Sequence, residues 1–257
     1  MFEIMILLLA GLGAGIVTGL VGGSAVLVAA PLLIVFLDYP AYLAIGIALS
    51  IDVVASLFAT VIYYKHGRLK INNSMILLVS ALAAVLISSA ISKDFPANGL
   101  SFLSGLGVIL TGFLIMLRKK KYLPINKKYR FFKKYEIPSL IAAGIIIGTI
   151  AGIFGAGGGI AILLALILIL NYETHEAIGT SVFLMMFIAF FGGLAHYMNA
   201  QFSVQALVLG SIGGLIGAGW ASRFANLLDE KVLNKLVGVL LVILGVLLTA
   251  KNIIILF

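Results

Sequence analysis

Long apolar blocks, separated by short polar or glycine-rich stretches, set the pattern of this chain. Ala41 to Tyr64, Ile71 to Ile91, Gly99 to Leu117, Ile137 to Phe154, Ala177 to Met198, Val204 to Trp220 and Val232 to Ala250 are apolar on every side. Most are close to the roughly 20 residues a helix needs to cross the hydrocarbon core. Membrane strands would instead alternate apolar and polar residues over about ten positions. The pattern therefore predicts an all-α, polytopic helical bundle in a membrane. Two blocks depart from the simple span. Phe2 to Leu37 is too long for one crossing and is interrupted at Gly22-Gly23-Ser24. Ile137 to Leu170 is interrupted at Gly155-Ala156-Gly157-Gly158-Gly159. The pieces after the breaks, Ala25–Leu37 and Ile160–Leu170, are each shorter than a normal span. Each is either a short crossing helix or the return arm of a re-entrant hairpin.

The two irregular blocks belong to an internal repeat. A shift of 133 residues carries Gly11, Gly15, Gly19 and Gly22 onto Gly144, Gly148, Gly152 and Gly155 without a gap. The same register carries Ala44-Ile45-Gly46 onto Ala177-Ile178-Gly179, Tyr39 onto Tyr172, and Gly105 and Gly112 onto Gly238 and Gly245. The chain thus divides into a first repeat, residues 1–118, a linker, 119–136, and a second repeat, 137–257.

Charge predicts how the repeats lie. The loop Lys65 to Lys70 is basic, whereas its counterpart, Met198 to Ser203, carries no charge. Ser92 to Gly99 holds one Lys and one Asp, whereas its counterpart lies in a stretch with Arg223, Lys231 and Lys235. The bias changes sides between the halves, as inverted repeats require under the positive-inside rule. Inversion needs an odd number of crossings per half and places both termini outside.

Composition closes off other classes. Hydrophobic residues make up 63% of the chain and charged residues 10%, too few charges to cover a soluble domain. The net charge of +8 would suit nucleic acid, but nine of the seventeen basic residues lie between Arg118 and Lys134. That clustering in one loop marks a cytoplasmic connection, and its interleaved Tyr122, Tyr129, Phe131 and Phe132 suit a lipid surface. The expected setting is the cell (inner or plasma) membrane, with no nucleic-acid partner. The start, Met1-Phe2-Glu3-Ile4, lacks a basic n-region and reads as a retained apolar segment. Cysteine is absent, so disulfides, thiolate metal sites and cysteine nucleophiles are too.

The glycine breaks are the leading candidates for chemistry. Four glycines in five residues do not hold a regular helix unaided. In lipid, freed backbone groups are tolerated only against protein or a polar cavity. A helix that starts after such a break directs bare N–H groups and a positive dipole end at that cavity, which suits an anion without any lysine or arginine. Gly22, Gly23, Ser24, Gly155, Ala156, Gly157, Gly158 and Gly159 are the candidate substrate-binding residues, joined by the hydroxyls of Thr180 and Ser181. Those two hydroxyls could equally bond their own helix backbone. The spaced glycines Gly11, Gly15 and Gly19, with Gly144, Gly148 and Gly152, read as close helix packing. Asp52 is an acid in the middle of a strong span, a candidate for proton coupling or a structural carboxyl bonded to Ser56 one turn on. His196, aligned with Tyr63, is a second proton-coupling candidate or an interfacial polar residue beside Tyr197. Glu173-x-His175-Glu176 is a short acidic loop with no partner cluster, so no metal or other cofactor is expected.

These motifs resemble a known family. Gly19-Leu20-Val21-Gly22-Gly23-Ser24 and Gly152-Ile153-Phe154-Gly155-Ala156-Gly157-Gly158-Gly159 are similar to the glycine-rich motif that opens each half of the sulfite exporter TauE/SafE family. Ala44-Ile45-Gly46 and Ala177-Ile178-Gly179-Thr180-Ser181 resemble its A-x-G-T-S element, and the likeness runs from about Gly11 to Gly245. The first half departs at Ser24-Ala25, where the family tends to continue with glycine, and at Gly46-Ile47-Ala48 in place of Gly-Thr-Ser. The resemblance implies transport of sulfite, sulfonates or related sulfur-containing anions across a membrane without an ATPase domain.

The expected function is secondary transport of a small anion by alternating access, with substrate at the midplane between the breaks and H+ as a possible coupling ion. An anion channel is the alternative. An intramembrane enzyme is a weaker one: the sequence carries no G-x-S-x-G elbow and no H-E-x-x-H. A scaffold would have no need to interrupt its helices.

Overall fold

The protein, described here by a computed structural model, is placed over residues 1–92, 97–116, 135–155, 158–197, 203–225 and 230–256. Residues 119–134 of the basic linker lie outside the described residues. Those described form ten helices: α1 (Phe2–Val21), α2 (Val26–Leu37), α3 (Ala41–Lys65), α4 (Ser74–Ser92), α5 (Ala97–Met116), α6 (Glu136–Phe154), α7 (Gly158–Leu170), α8 (Thr174–Tyr197), α9 (Val204–Phe224) and α10 (Glu230–Leu256). No strand occurs among them. Six helices, α1, α3, α4, α6, α8 and α9, contain stretches long and apolar enough to cross a membrane. Ile145, Ile146, Ile212, Ile216 and Leu110 stand exposed on the outer faces, as lipid contact requires.

Backbone conformation repeats along with the sequence. Gly22 and Gly155 end α1 and α6 with φ of 67° and 63°. Asp38 and Asn171 end α2 and α7 with φ of 55° and 54°. Tyr39 N–H reaches back to the Leu33 carbonyl at 3.3 Å, and Tyr172 N–H to the Leu166 carbonyl at 3.2 Å, the same closure one repeat apart.

The pieces after the breaks are return arms. The Tyr39 hydroxyl donates to Glu3 Oε1 at 2.9 Å, so α2 comes back to the end of the bundle where α1 begins. Its 12 residues rise about 18 Å, well short of a ~30 Å core. The α6–α7 hairpin opens from the other end. There Asn73 Nδ2 donates to Glu136 Oε1 at 2.6 Å, Lys70 pairs with Glu176 at 2.8 Å, and the Lys70 ammonium lies 5.5 Å from the Tyr172 ring centre. That end also collects the close of α3 and the starts of α4 and α8. At the first end, Lys251 from α10 caps α2, donating to the Ile34 and Val35 carbonyls at 2.5 and 3.2 Å and to Asp38 at 2.5 Å. An ammonium on the last carbonyls of a helix complements its negative dipole end.

Helices at matching repeat positions cross antiparallel. On α5 and α10, Gly105 packs against Gly245 and Thr249, and Gly112 against Gly238 and Val242. On α3 and α8, Tyr42 stacks on His196 while Gly179 packs against Tyr63. The spaced glycines form the tight parallel seams. A Cβ on Gly15 would lie 2.7 Å from Ala218 N on α9, and one on Gly19 would lie 2.8 Å from the Ala218 carbonyl. One repeat on, Gly144 and Gly152 would meet the Leu77 and Val85 carbonyls of α4 at 2.6 and 2.8 Å. Only glycine allows backbones this near, which is the packing role expected of the x3-spaced positions.

Gly148→Val drives a side chain into the Ala81 carbonyl and toward Ala84, and should destabilise by about 1–3 kcal/mol; a lowered melting temperature in detergent reads this out. Gly107→Ala, whose Cβ meets nothing within 4 Å, should leave it unchanged. Because the native chain has no cysteine, Phe2→Cys and Asn72→Cys report sidedness cleanly. A membrane-impermeant maleimide should label them from opposite faces.

Candidate functional site

The two breaks meet tip to tip. Gly22 turns left-handed, which only glycine adopts without strain, and its N–H closes on the Thr18 carbonyl at 3.1 Å. α2 then starts under a local cap, with Ser24 Oγ accepting from Val26 N–H at 3.3 Å. In the second half Gly155 makes the same left-handed turn and α7 begins at Gly158. Ala156 and Gly157 lie outside the described residues. A Cβ on Gly159 would strike the Gly22 carbonyl and lie 3.1 Å from the carbonyl carbon of Gly23. Gly22, Gly23, Ser24, Gly155, Gly158 and Gly159 are all buried. Each break is also seated on the A-x-G stretch of the other half. Gly22 faces Ile178 and the Ser181 hydroxyl on α8, and Gly155 faces Ile45 on α3.

The neighbouring hydroxyls divide in role. Ser181 is buried, lies against Gly22 and donates to its own helix at the Ile178 carbonyl, 2.9 Å away. Thr180, equally buried, turns to the α3–α4 loop: its Oγ1 accepts from Lys70 N–H at 3.0 Å and donates to the Lys70 carbonyl at 3.3 Å. The loop is further held by Lys70–Glu176, and the Glu176 carboxylate raises the Lys70 pKa above the usual lysine value. Thr180 therefore fixes a loop to α8 beside the break, while Ser181 faces the break itself.

Asp52 lies at the first break. It is fully buried on α3, and Ser24 Oγ donates to its Oδ2 at 2.6 Å. Ser56 Oγ donates to Oδ1 at 3.1 Å, the one-turn partner expected from spacing. The Ala25 backbone N–H is also directed at the carboxyl. Asp52 thus sits on the N-terminus of α2, where the dipole favours negative charge. Ser24 makes this contact where the second repeat has Gly157. The equivalent of Asp52 in the second repeat is Met185, whose thioether lies against Gly158 and Gly159 at the start of α7.

His196 is buried far from the breaks, at the close of α8. Its ring stacks on Tyr42 at 4.4 Å and Nδ1 pairs with the Gly192 carbonyl at 2.9 Å, while Nε2 has no hydrogen-bond partner among the described residues. Its repeat partner Tyr63 is longer and donates to the Gly19 carbonyl on α1 at 3.0 Å. The structure therefore gathers Asp52 with Gly22–Ser24, Gly155, Gly158 and Gly159 but leaves His196 apart. Glu176 accepts the Glu173 N–H at 3.1 Å besides pairing with Lys70, and among the described residues no three His, Asp or Glu side chains gather as a metal site. Sequence reasoning did not find Ser24–Asp52, Thr18 beside them, or Lys251 on α2. These contacts join elements far apart in the chain, and no local spacing signals them.

Comparison with known proteins agrees with this architecture. Residues 7–248 match the family described as Sulfite exporter TauE/SafE. The chain is 26% identical to the probable membrane transporter protein YunE of Bacillus subtilis (strain 168), over 94% of this chain and 95% of that protein. It is 24% identical to the probable membrane transporter protein YdhB of the same organism, over 95% and 99%. A probable membrane transporter protein of Xylella fastidiosa (strain 9a5c) is 26% identical over 90% and 89%. No solved structure matches. A multi-pass helical bundle, a family match across nearly its whole length and relatives named as transporters lead to one conclusion: the chain is a membrane transporter protein of the sulfite exporter TauE/SafE family.

Proposed function

We propose that this chain is a secondary transporter of small anions, of the sulfite or sulfonate class, working by alternating access between two repeats inverted in the membrane. The tip-to-tip meeting of two buried helix breaks carries the reading. Paired breaks at matching positions are how carriers present helix ends to a substrate near the midplane. The antiparallel crossing of α3 with α8 and of α5 with α10 supports inversion.

The anion's share of the site falls mainly to the second half. Asp52 already engages the start of α2, whereas at the start of α7 the equivalent residue is the uncharged Met185. The α7 N-terminus and the Ser181 hydroxyl supply donors without a fixed cation, which suits an anion that must also be released. No nucleotide-binding motif is present in the sequence, so an ion gradient supplies the driving force.

The test is flux of labelled sulfite and simple sulfonates into proteoliposomes. Saturable, counter-transported flux is expected; flux that never saturates indicates a channel, and its absence for every anion refutes the reading. Met185→Asp should suppress flux by about tenfold or more, because a second carboxylate would compete for the α7 N-terminus. Met185→Leu should transport like the parent.

A further inference from the structure

The helices do not pack repeat by repeat. α1 and α9 come from different repeats and lie backbone on backbone. A Cβ on Gly11 would lie 3.0 Å from Gly214 N; from the other side, one on Gly213 would lie 2.8 Å from Leu12 N and one on Gly217 3.0 Å from Ile16 N. α4 and α6 form the matching seam one repeat on. There Ser88 Oγ donates to the Gly148 carbonyl at 3.3 Å, a Cβ on Gly148 would lie 2.8 Å from Ala84 Cβ, and Asn73 ties the start of α4 to Glu136. The same helices paired within a repeat, α1 with α4 and α6 with α9, form no such seam.

Buried apolar side chains divide along the same lines. One cluster joins Leu7 of α1 and Leu27 of α2 to Ala221 of α9 and Leu241 of α10. The other joins Leu77 of α4 and Ile147 of α6 to Leu163 of α7 and Leu184 of α8. α3 and α8 run through both. α3 gives Ile47 to the first cluster and Tyr63 to the second, and α8 gives Val182 to the second and Ala189 to the first. At the hairpin tips the clusters touch, where Ile160 of α7 enters the first. A seam of interlocked backbones resists sliding, because any shift sets side chains against carbonyls. Movement belongs between such bodies and not along their seams.

We infer that the rigid units of this fold are two exchanged bodies, α1–α2 with α9 and α10, and α6–α7 with α4. These bodies, and not the two sequence repeats, move against each other about α3 and α8. Each hairpin then travels with a helix lent by the other half, and α1 stays on α9 while the tips part. The movement rests on the transport reading above; the two bodies themselves do not.

Hydrogen exchange of the full-length protein in detergent, followed as denaturant is raised, tests the bodies without any substrate. Amides of α1 and α9 should open in one step, and those of α4 and α6 in another at a different denaturant concentration. α1 opening with α4 and apart from α9, or all four helices opening in one step, overturns the inference. The movement is tested with Asn73→Cys and Glu136→Cys together in this cysteine-free chain, joined by a short bifunctional maleimide. The link binds the two repeats to each other but lies within one body. Sulfonate flux in proteoliposomes should stay within about twofold of the unjoined protein. Flux stopped by the link, and restored when only one of the two cysteines is present, overturns the inference. No anion flux from the parent, with the two exchange steps observed, would count against the transport reading alone.

Discussion

A helix interrupted inside a membrane leaves backbone N–H and C=O groups that lipid cannot satisfy, and the rest of this structure is arranged around that constraint. Two such interruptions exist, and each is covered by the other. Gly159 lies on the Gly22 carbonyl, Gly22 on Ile178 and Ser181, and Gly155 on Ile45. Close approach of this kind needs glycine at the contact, and the positive φ of Gly22 and Gly155 needs it for the turn. The x3-spaced glycines then draw α1 onto α9 and α6 onto α4, so each hairpin is clasped by a helix of the opposite half.

The two halves share a backbone plan but not their polar chemistry. The first hairpin is tied down by Ser24 on Asp52, by Tyr63 on the Gly19 carbonyl and by Lys251 on the end of α2. At the matching positions the second half has Gly157, His196 and Met185 for Ser24, Tyr63 and Asp52, while the counterpart of Lys251 is Arg118 at the end of the first repeat. Hydrogen bonds inside a low-dielectric bundle are costly to leave unmade, so an element held by several of them is the harder one to move. On the proposed reading the second hairpin is the arm that meets the anion.

Much of this was legible in the sequence because it follows from local chemistry. Span length and all-round apolarity gave the bundle, runs of glycine gave the breaks, and a constant register gave the repeat, which the matched turns at Asp38 and Asn171 echo. Asp52 with Ser56 was legible as a one-turn pair. The return of α2 and α7 to their own end was not. A piece of 12 residues is too short to cross yet carries no local sign of its direction, which is set by contacts such as Tyr39 with Glu3. Nor could spacing show that Ser24 closes on Asp52, or that Thr180 serves a loop 110 positions away.

The central claim is that a single polar site lies where the two hairpin tips meet. Ser181→Cys, introduced into this cysteine-free chain, places a thiol beside Gly22. The measurement is the rate at which a small thiol reagent modifies it in proteoliposomes, with and without a simple sulfonate. The account predicts modification that the sulfonate slows in a saturable way. A rate indifferent to sulfonate, or a thiol never reached during turnover, would contradict it.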